Sequence, residues 1–115
     1  MPSCIFCMIA AGEVPASVVY EDETVVAFRD LSPQAPVHVL VVPRAHYSGL
    51  DDEVPAETLA AMLAAARHVA EATGVAHSGY RVILNTGPDA GQTVPHLHLH
   101  VLGGAAMSEG MVRLA

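Results

Sequence analysis

Three histidines alternate with leucines in the stretch "HLHLHVLGG", which begins at His96 and ends at Gly104. In a β-strand, alternate residues share a face, so His96, His98 and His100 would line one face while the leucines enter the core. Packing does not explain three imidazoles in a row. One chemistry that would use them is a metal site. The other is covalent catalysis, in which a neutral imidazole attacks phosphorus and a second imidazole transfers a proton.

A pair of cysteines, Cys4 and Cys7, lies near the amino terminus in the spacing Cys-x-x-Cys. This spacing is compatible with a redox pair, with half of a metal site or with an accidental repeat. The chain contains no other cysteine. In a reducing compartment such a pair is expected to be a ligand pair or two thiols, and a structural disulfide is disfavoured.

The composition indicates a single globular domain covering residues 1–115, with 52% hydrophobic residues and a net charge of −7. All five basic residues are arginines, so a long polyanion such as duplex DNA is not expected as a partner. A single small phosphate remains possible, because backbone N–H groups can bind it without a net positive field. The apolar runs fall short of the roughly 20 residues of a membrane span, and the amino terminus lacks a basic signal region. We therefore expect a cytoplasmic protein without a membrane partner.

The elements that must position the histidines are predicted from hydrophobic periodicity and turn residues. A helix is expected over residues 55–73 and should stop at Gly74. Its apolar stripe would comprise Leu59, Met62, Leu63, Ala66, Val69 and Ala70. Five strands are expected over residues 17–22, 24–30, 38–44, 80–87 and 96–102. The predicted class is α+β, with a largely antiparallel five-stranded sheet and one long helix on a face.

Several segments together resemble the histidine-triad (HIT) superfamily of nucleotide hydrolases and transferases. They read "CIFCMIAAGEVPA", "FRDLSPQAPVHVLVVPRAH" and "NTGPDAGQTVPHLHLHVLGG", and they cover most of the chain. The sequence is most similar to the Hint branch, the histidine triad nucleotide-binding proteins or purine nucleoside phosphoramidases. The resemblance implies a HIT-like fold with a short amino-terminal helix or knuckle, and a homodimer whose strands continue across the two subunits.

The resemblance also implies roles for three histidines in catalysis. His98 would be the nucleophile that attacks the α-phosphorus and forms a nucleotidyl-histidine intermediate. His100 would contact the phosphate or the leaving group and take part in proton transfer. His38, at the head of the third predicted strand, would support the nucleophile.

By the same resemblance, a nucleotide would be bound by residues from several segments. Asp30 would accept hydrogen bonds from the ribose hydroxyls, since a carboxylate can accept two from a diol. The walls of the base pocket would be Phe6, Ile9, Phe28 and Leu31. The phosphate would lie beside Asn85 and the loop residues Gly91, Gln92, Thr93 and Val94, with Gly91 allowing the backbone to approach closely.

A structural zinc ion is the cofactor that the resemblance implies, held by Cys4, Cys7, His46 and His96. Two thiolates and two imidazoles form a closed tetrahedral set, which is typical of structural zinc. If zinc is not bound, His96 would belong to a hydrogen-bonded relay behind His98.

These features predict an enzyme that hydrolyses purine nucleoside phosphoramidates through His98. One alternative is a dinucleoside polyphosphate hydrolase of the same superfamily. A second is a nucleotide-binding interaction module in which turnover is incidental. A third is a metal-binding domain with His96, His98 and His100 on one ion.

Overall fold

One antiparallel sheet of five strands, in the order β1-β2-β3-β5-β4, organises the computed structural model, which describes residues 4–115. The strands are β1 (Val18–Glu21), β2 (Val25–Arg29), β3 (Val37–Pro43), β4 (Tyr80–Ile83) and β5 (Leu99–Gly103). The helices are α1 (Ile5–Ala10), α2 (Ala56–Thr73) and a short 3-10 helix (Pro88–Ala90). The predicted α+β class, with one long helix and a short amino-terminal helix, is confirmed. The first three residues of the domain predicted over residues 1–115 lie outside the described part.

The two faces of the sheet are distinguished by the alternation of residues along β3. Val39 and Val41 are fully buried against α2, in a core that also contains Leu97, Leu99 and Val101. The intervening residues point to the opposite face, where Leu40 and Val42 pack with Phe6 of α1 and Phe28 of β2. His38 is on this second face, and it is 6% exposed. The alternation therefore separates an aliphatic core from the face that carries the imidazoles.

Helix α2 begins after Pro55 and ends at Gly74, which adopts a left-handed conformation with φ of 82°. The Gly74 N–H donates to the carbonyls of Ala70 and Glu71, as in a typical glycine termination. The predicted stripe is wrong at Leu63, which is 56% exposed. Ala65 is buried instead, because the small side chain allows the helix to approach the sheet.

Four strands are shorter than the sequence predicts: β1 and β2 by one residue at each end, β4 by four residues at its end and β5 by three residues at its start. Strand β5 begins at Leu99, so His96 and His98 precede it in an extended segment. Pairing with β3 stops at Val41 and Leu99, and the Leu97 N–H donates instead to the Tyr47 carbonyl. Strand β4 ends at Ile83, which pairs with His100, since β5 offers little strand beyond that point. Leu97 and Leu99 are nevertheless both 1% exposed, so the predicted alternation holds outside the regular strand.

The described helices also bear on membrane association. Within residues 4–115, no helix combines the length and the apolar composition that crossing a bilayer requires.

Candidate active site

A cavity of about 340 Å³ opens on the α1 side of the sheet. It brings together nine of the residues singled out in the sequence: Phe6, Ile9, Phe28, Asp30, Leu31, Thr93, Val94, His98 and His100. Sequence reasoning missed Ile5, Val14, Pro15, Ala16, Ser17, Arg29 and Leu40, which also line it. Leu40 could have been found, because it lies two residues after His38 and therefore on the same face of β3. The loop over residues 14–17 carries no comparable signal.

The tautomer of His98 follows from a single hydrogen bond. Its Nδ1 is 2.7 Å from the backbone carbonyl oxygen of His96, and a carbonyl can only accept. Nδ1 must therefore carry the proton, which leaves a lone pair on Nε2. The His98 side chain is 5% exposed, and the edge of the Phe6 ring packs against it at a centroid distance of 5.1 Å. This imidazole is held in one orientation, and the neutral ring has its lone pair on Nε2.

The tautomers of His38 and His100 follow in the same way. The backbone N–H of Gln34 donates to Nδ1 of His38 at 3.0 Å, so the neutral ring carries its proton on Nε2. Nε2 of His38 is 2.8 Å from Nδ1 of His100 and donates to it. The proton of neutral His100 is then on Nε2. Donated hydrogen bonds thus run from the Gln34 N–H to His38 and from His38 to His100. His38 therefore contacts His100 directly.

Burial lowers the pKa of His100 to about 4, helped by the neighbouring His98 and His38 imidazoles and opposed by the Asp30 carboxylate. An imidazole with this pKa is neutral near pH 7. The neutral form is also the one that the hydrogen bond from His38 requires, because Nδ1 of His100 must accept it.

Asp30 lies between the end of β2 and the histidine chain. One carboxylate oxygen accepts from the backbone N–H of Ser32 at 2.7 Å, and the other is 3.5 Å from Nε2 of His38. The side chain is 22% exposed, and it lines the cavity. The Asp30 carboxylate therefore retains acceptor capacity for a bound ligand. Leu31 also borders the cavity, but its side chain is fully exposed.

The loop over residues 87–94 contributes Thr93 and Val94 to the cavity wall. Within residues 4–115, the backbone N–H groups of these two residues have no hydrogen-bond acceptor. Gly91 adopts φ of 81°, and a Cβ placed on it would meet no atom within 4 Å. Gly91 thus adopts the left-handed turn that glycine favours, and the close approach of its backbone to a phosphate stays a prediction. Asn85, Gly91 and Gln92 do not line the cavity.

A second cluster lies beside the cavity and comprises Cys4, Cys7, His46 and His96, whose ligand atoms all lie within 4.8 Å of one another. Nδ1 of His96 is 3.3 Å from the Cys4 sulfur and 3.1 Å from Nδ1 of His46. The Cys7 sulfur is 3.2 Å from Nδ1 of His46. Neither cysteine forms a disulfide. This is a set of two sulfur and two nitrogen donors around a common centre.

The geometry of this cluster fits a tetrahedral metal. Zinc–sulfur bonds of about 2.3 Å and zinc–nitrogen bonds of about 2.0 Å place the ligands roughly 3.3–3.8 Å apart, close to the distances found. Nε2 of His96 donates to the carbonyl of Pro43 at 2.9 Å, which leaves Nδ1 as a lone-pair donor. Burial lowers the pKa of His96, so the imidazole is neutral, as a ligand must be. Burial also raises the pKa of the Cys7 thiol, which a bound cation would reverse.

Asp30, His38 and His100 form another close group of potential ligand atoms. Nε2 of His38 carries a proton, however, because Nδ1 accepts from the Gln34 N–H. It cannot bind a metal without losing that hydrogen bond. The expected alternative with His96, His98 and His100 on one ion is also contradicted, since His96 joins the cysteines and His100 joins Asp30.

Comparisons with known proteins agree with this arrangement. Residues 11–107 match the family model described as HIT domain. Purine nucleoside phosphoramidase from Escherichia coli K12 is 46% identical over 103 residues, covering 87% of this chain and 86% of the relative. The 14 kDa zinc-binding protein of Zea mays is 45% identical over 108 residues, covering 90% and 84%. The solved structure of a HIT family hydrolase from Clostridium thermocellum superposes with a TM-score of 0.93 at 44% identity, covering 97% and 99%.

The chain therefore belongs to the HIT domain family. The predicted HIT-like fold is confirmed by the solved relative. The predicted enzyme class, a nucleotide hydrolase, is confirmed by the phosphoramidase and hydrolase relatives.

Proposed function

We propose that this chain hydrolyses purine nucleoside phosphoramidates through a covalent nucleotidyl intermediate on Nε2 of His98. The observation that carries the proposal is the hydrogen bond from Nδ1 of His98 to the His96 carbonyl, which places the lone pair of the neutral ring on Nε2 at a ligand-sized cavity. The name of the E. coli relative, purine nucleoside phosphoramidase, supports this substrate class.

The reaction proceeds in two displacements at phosphorus. In the first, the Nε2 lone pair of His98 bonds to the α-phosphorus, the P–N bond breaks and the departing nitrogen takes a proton from solvent. The Nε2–H of His100 donates a hydrogen bond to the departing nitrogen or to a phosphate oxygen. In the second, water attacks phosphorus, the bond to Nε2 breaks and His98 regains its lone pair. One water is consumed, and its protons end on the amine and on solvent or the nucleotide.

The cavity supplies groups for each part of a nucleotide. Phe6 and Phe28, with ring centroids 5.5 Å apart, form an apolar surface for the flat base. Asp30 accepts from the ribose hydroxyls. The unpaired N–H groups of Thr93 and Val94 hold the phosphate oxygens, and they become more important as negative charge develops in the transition state.

We propose that the Cys–His cluster holds a structural zinc ion. The donor set, the spacing of the ligand atoms and the zinc-binding relative from maize support this assignment. When bound, the ion would supply a cross-link that fixes α1 and the start of the histidine segment. The residues that would hold it are Cys4 at the N-cap of α1, Cys7 within α1, His46 from the segment after β3, and His96.

A homodimer is part of the same proposal, with two copies of the chain joined at β4. This strand forms one edge of the sheet, and its side chains Tyr80 and Val82 are 37% and 38% exposed. An edge that carries exposed aromatic and β-branched residues is suited to continued strand pairing. Light scattering after gel filtration should give the mass of two chains, and Val82→Lys should reduce it to one.

The test of the catalytic proposal is release of AMP from an adenosine phosphoramidate by the wild type and by His98→Ala. The substitution should lower kcat by several orders of magnitude, and a short quench of the wild type should trap nucleotide on the protein. His77→Ala, at an exposed position outside the cavity, is the matched control. A faster rate with dinucleoside polyphosphates would favour the related hydrolase. Binding of AMP without turnover of any such substrate would favour an interaction module.

A further inference from the structure

The side-chain amide of Gln92 is occupied entirely by backbone groups. Its oxygen accepts from the Gly87 N–H at 2.9 Å. Its nitrogen donates to the Ser48 carbonyl at 2.7 Å and to the Val94 carbonyl at 3.1 Å. The Gln92 backbone N–H also donates to the Gly87 carbonyl, at 3.2 Å. One residue therefore closes the 87–94 loop on itself and fastens it to a neighbouring segment.

The segment to which Gln92 is fastened leads from the Cys–His cluster. Ser48 follows His46 by two residues, and the carbonyl of the intervening Tyr47 accepts from the Leu97 N–H at 2.6 Å. The amide thus connects the segment bearing His46 with the loop bearing Thr93 and Val94.

We propose that Gln92 is a positioning residue that aims the N–H groups of Thr93 and Val94 at the phosphate, without touching the nucleotide itself. This inference rests on the proposed function, in which those N–H groups bind the phosphate oxygens. Only a side chain with both an acceptor and two donor hydrogens satisfies the Gly87 N–H together with the Ser48 and Val94 carbonyls. If the amide is lost, the loop is released at both ends, and the two N–H groups lose their fixed direction.

Two substitutions separate the bonding of Gln92 from its charge and size. Gln92→Glu preserves the shape and the acceptor, but it places a carboxylate oxygen against the Ser48 and Val94 carbonyls. Gln92→Met preserves the length and removes all three side-chain bonds without adding charge. Ala90→Glu, at an exposed position of the same loop, adds the same negative charge without breaking these bonds. It is the matched control for electrostatic repulsion of the phosphate.

The decisive measurement is a pair of dissociation constants, for AMP and for adenosine, determined by calorimetry on the metal-loaded full chain. The two ligands share the base and the ribose, so their ratio reports the phosphate contacts alone. We expect Gln92→Glu and Gln92→Met to weaken AMP binding by about tenfold or more, the usual effect of losing a hydrogen bond to a charged group. In both Gln92 variants, adenosine binding and metal content should change by less than about twofold. In Ala90→Glu, AMP binding should also change by less than about twofold.

Each of the other possible results of these binding measurements would contradict a different part of the proposal. Equal affinities for AMP in the wild type and both Gln92 variants would refute the positioning role and leave the proposed function intact. Equal weakening of AMP and adenosine would show a general loss of structure and would also refute it. Failure of the wild type to bind AMP would overturn the proposed function, and the inference about Gln92 with it.

Discussion

His98 donates its Nδ1–H to the backbone carbonyl of His96 at 2.7 Å, and the His96 ring belongs to the Cys–His cluster. One residue therefore contributes a side chain of the Cys–His cluster and the backbone acceptor that sets the tautomer of His98. The Phe6 ring lies beside both, with centroid distances of 5.9 Å to His96 and 5.1 Å to His98. Any change that moves His96 should therefore also change the orientation of the His98 ring.

Metal content should separate the two histidine sites. Cys4→Ser removes one of four ligands, so we expect zinc measured by plasma emission to fall from about one ion per chain to a small fraction. His98→Ala should retain the full content, because His98 is not in the cluster. Removal of the metal by a chelator should lower the melting temperature of the wild type. The reverse pattern, with zinc lost in His98→Ala and kept in Cys4→Ser, would reject the cluster as the metal site.

Replacement of His38 should impair catalysis more than binding. His38→Phe keeps a ring of similar shape but cannot donate to Nδ1 of His100, so the tautomer of His100 is no longer fixed. We expect kcat for adenosine phosphoramidate to fall by about 100-fold, at the low end for positioned acid–base groups. KM should change by less than about threefold, because His38 does not line the cavity. A large rise in KM with an unchanged kcat would contradict the donor chain.

The Asp30 carboxylate should confer a preference for ribose over deoxyribose. In Asp30→Asn, an amide replaces one of the carboxylate acceptors, so a hydrogen bond from a sugar hydroxyl is weakened or lost. The wild type should use the ribonucleotide substrate with a kcat/KM about tenfold above that of its 2′-deoxy analogue. The variant should use both with nearly equal kcat/KM. An undiminished preference in the variant would assign sugar recognition to another group.

The lowered pKa of His100 predicts how stability depends on pH. The folded state holds this group with a pKa of about 4, whereas the unfolded chain titrates it near 6.5. Between these values the unfolded state binds more protons, so the free energy of unfolding should fall as pH falls from about 6.5 towards 4. Above this window, His100 should contribute no pH dependence.

Urea denaturation at pH 7.5, 6 and 5 would test this expectation, with His100→Asn as the comparison. The contribution of one histidine is at most about 1.4 kcal/mol per pH unit inside the window. The wild type should lose more stability than His100→Asn over the acid range. Parallel curves for the two proteins would show that His100 is not the titrating group.

The local features of this protein could be predicted from the sequence because they depend on neighbours along the chain. The turn at Asp22 illustrates this: its carboxylate accepts from the backbone N–H groups of Thr24 and Val25 at 2.8 and 2.9 Å. The termination of α2 at Gly74 depends in the same way on a left-handed residue. The motif resemblance added the expected grouping of the cysteines with two histidines, which spacing alone left open.

Other features could not be predicted, because they depend on contacts between distant segments. The end of β4 is set by where its partner β5 begins, and the start of β5 by where its pairing with β3 stops, so propensity alone extended both strands too far. The exposure of Leu63 and the burial of Ala65 depend on which side of α2 meets the sheet. Gln92 matched the motif as a nucleotide-binding residue, but its partners at Gly87 and Ser48 appear only in the folded chain.

The sequence by itself determined which chemistry is available: imidazoles on one face, thiols with ligand spacing, and a glycine-containing loop that precedes them. Side-chain periodicity and turn chemistry depend on neighbouring residues, so they can be predicted without knowledge of the rest of the chain. Only the tertiary structure decided what each imidazole does. The ring nitrogen that carries the proton depends on a carbonyl or N–H brought to it by folding: the Pro43 carbonyl for His96, and the Nε2–H of His38 for His100.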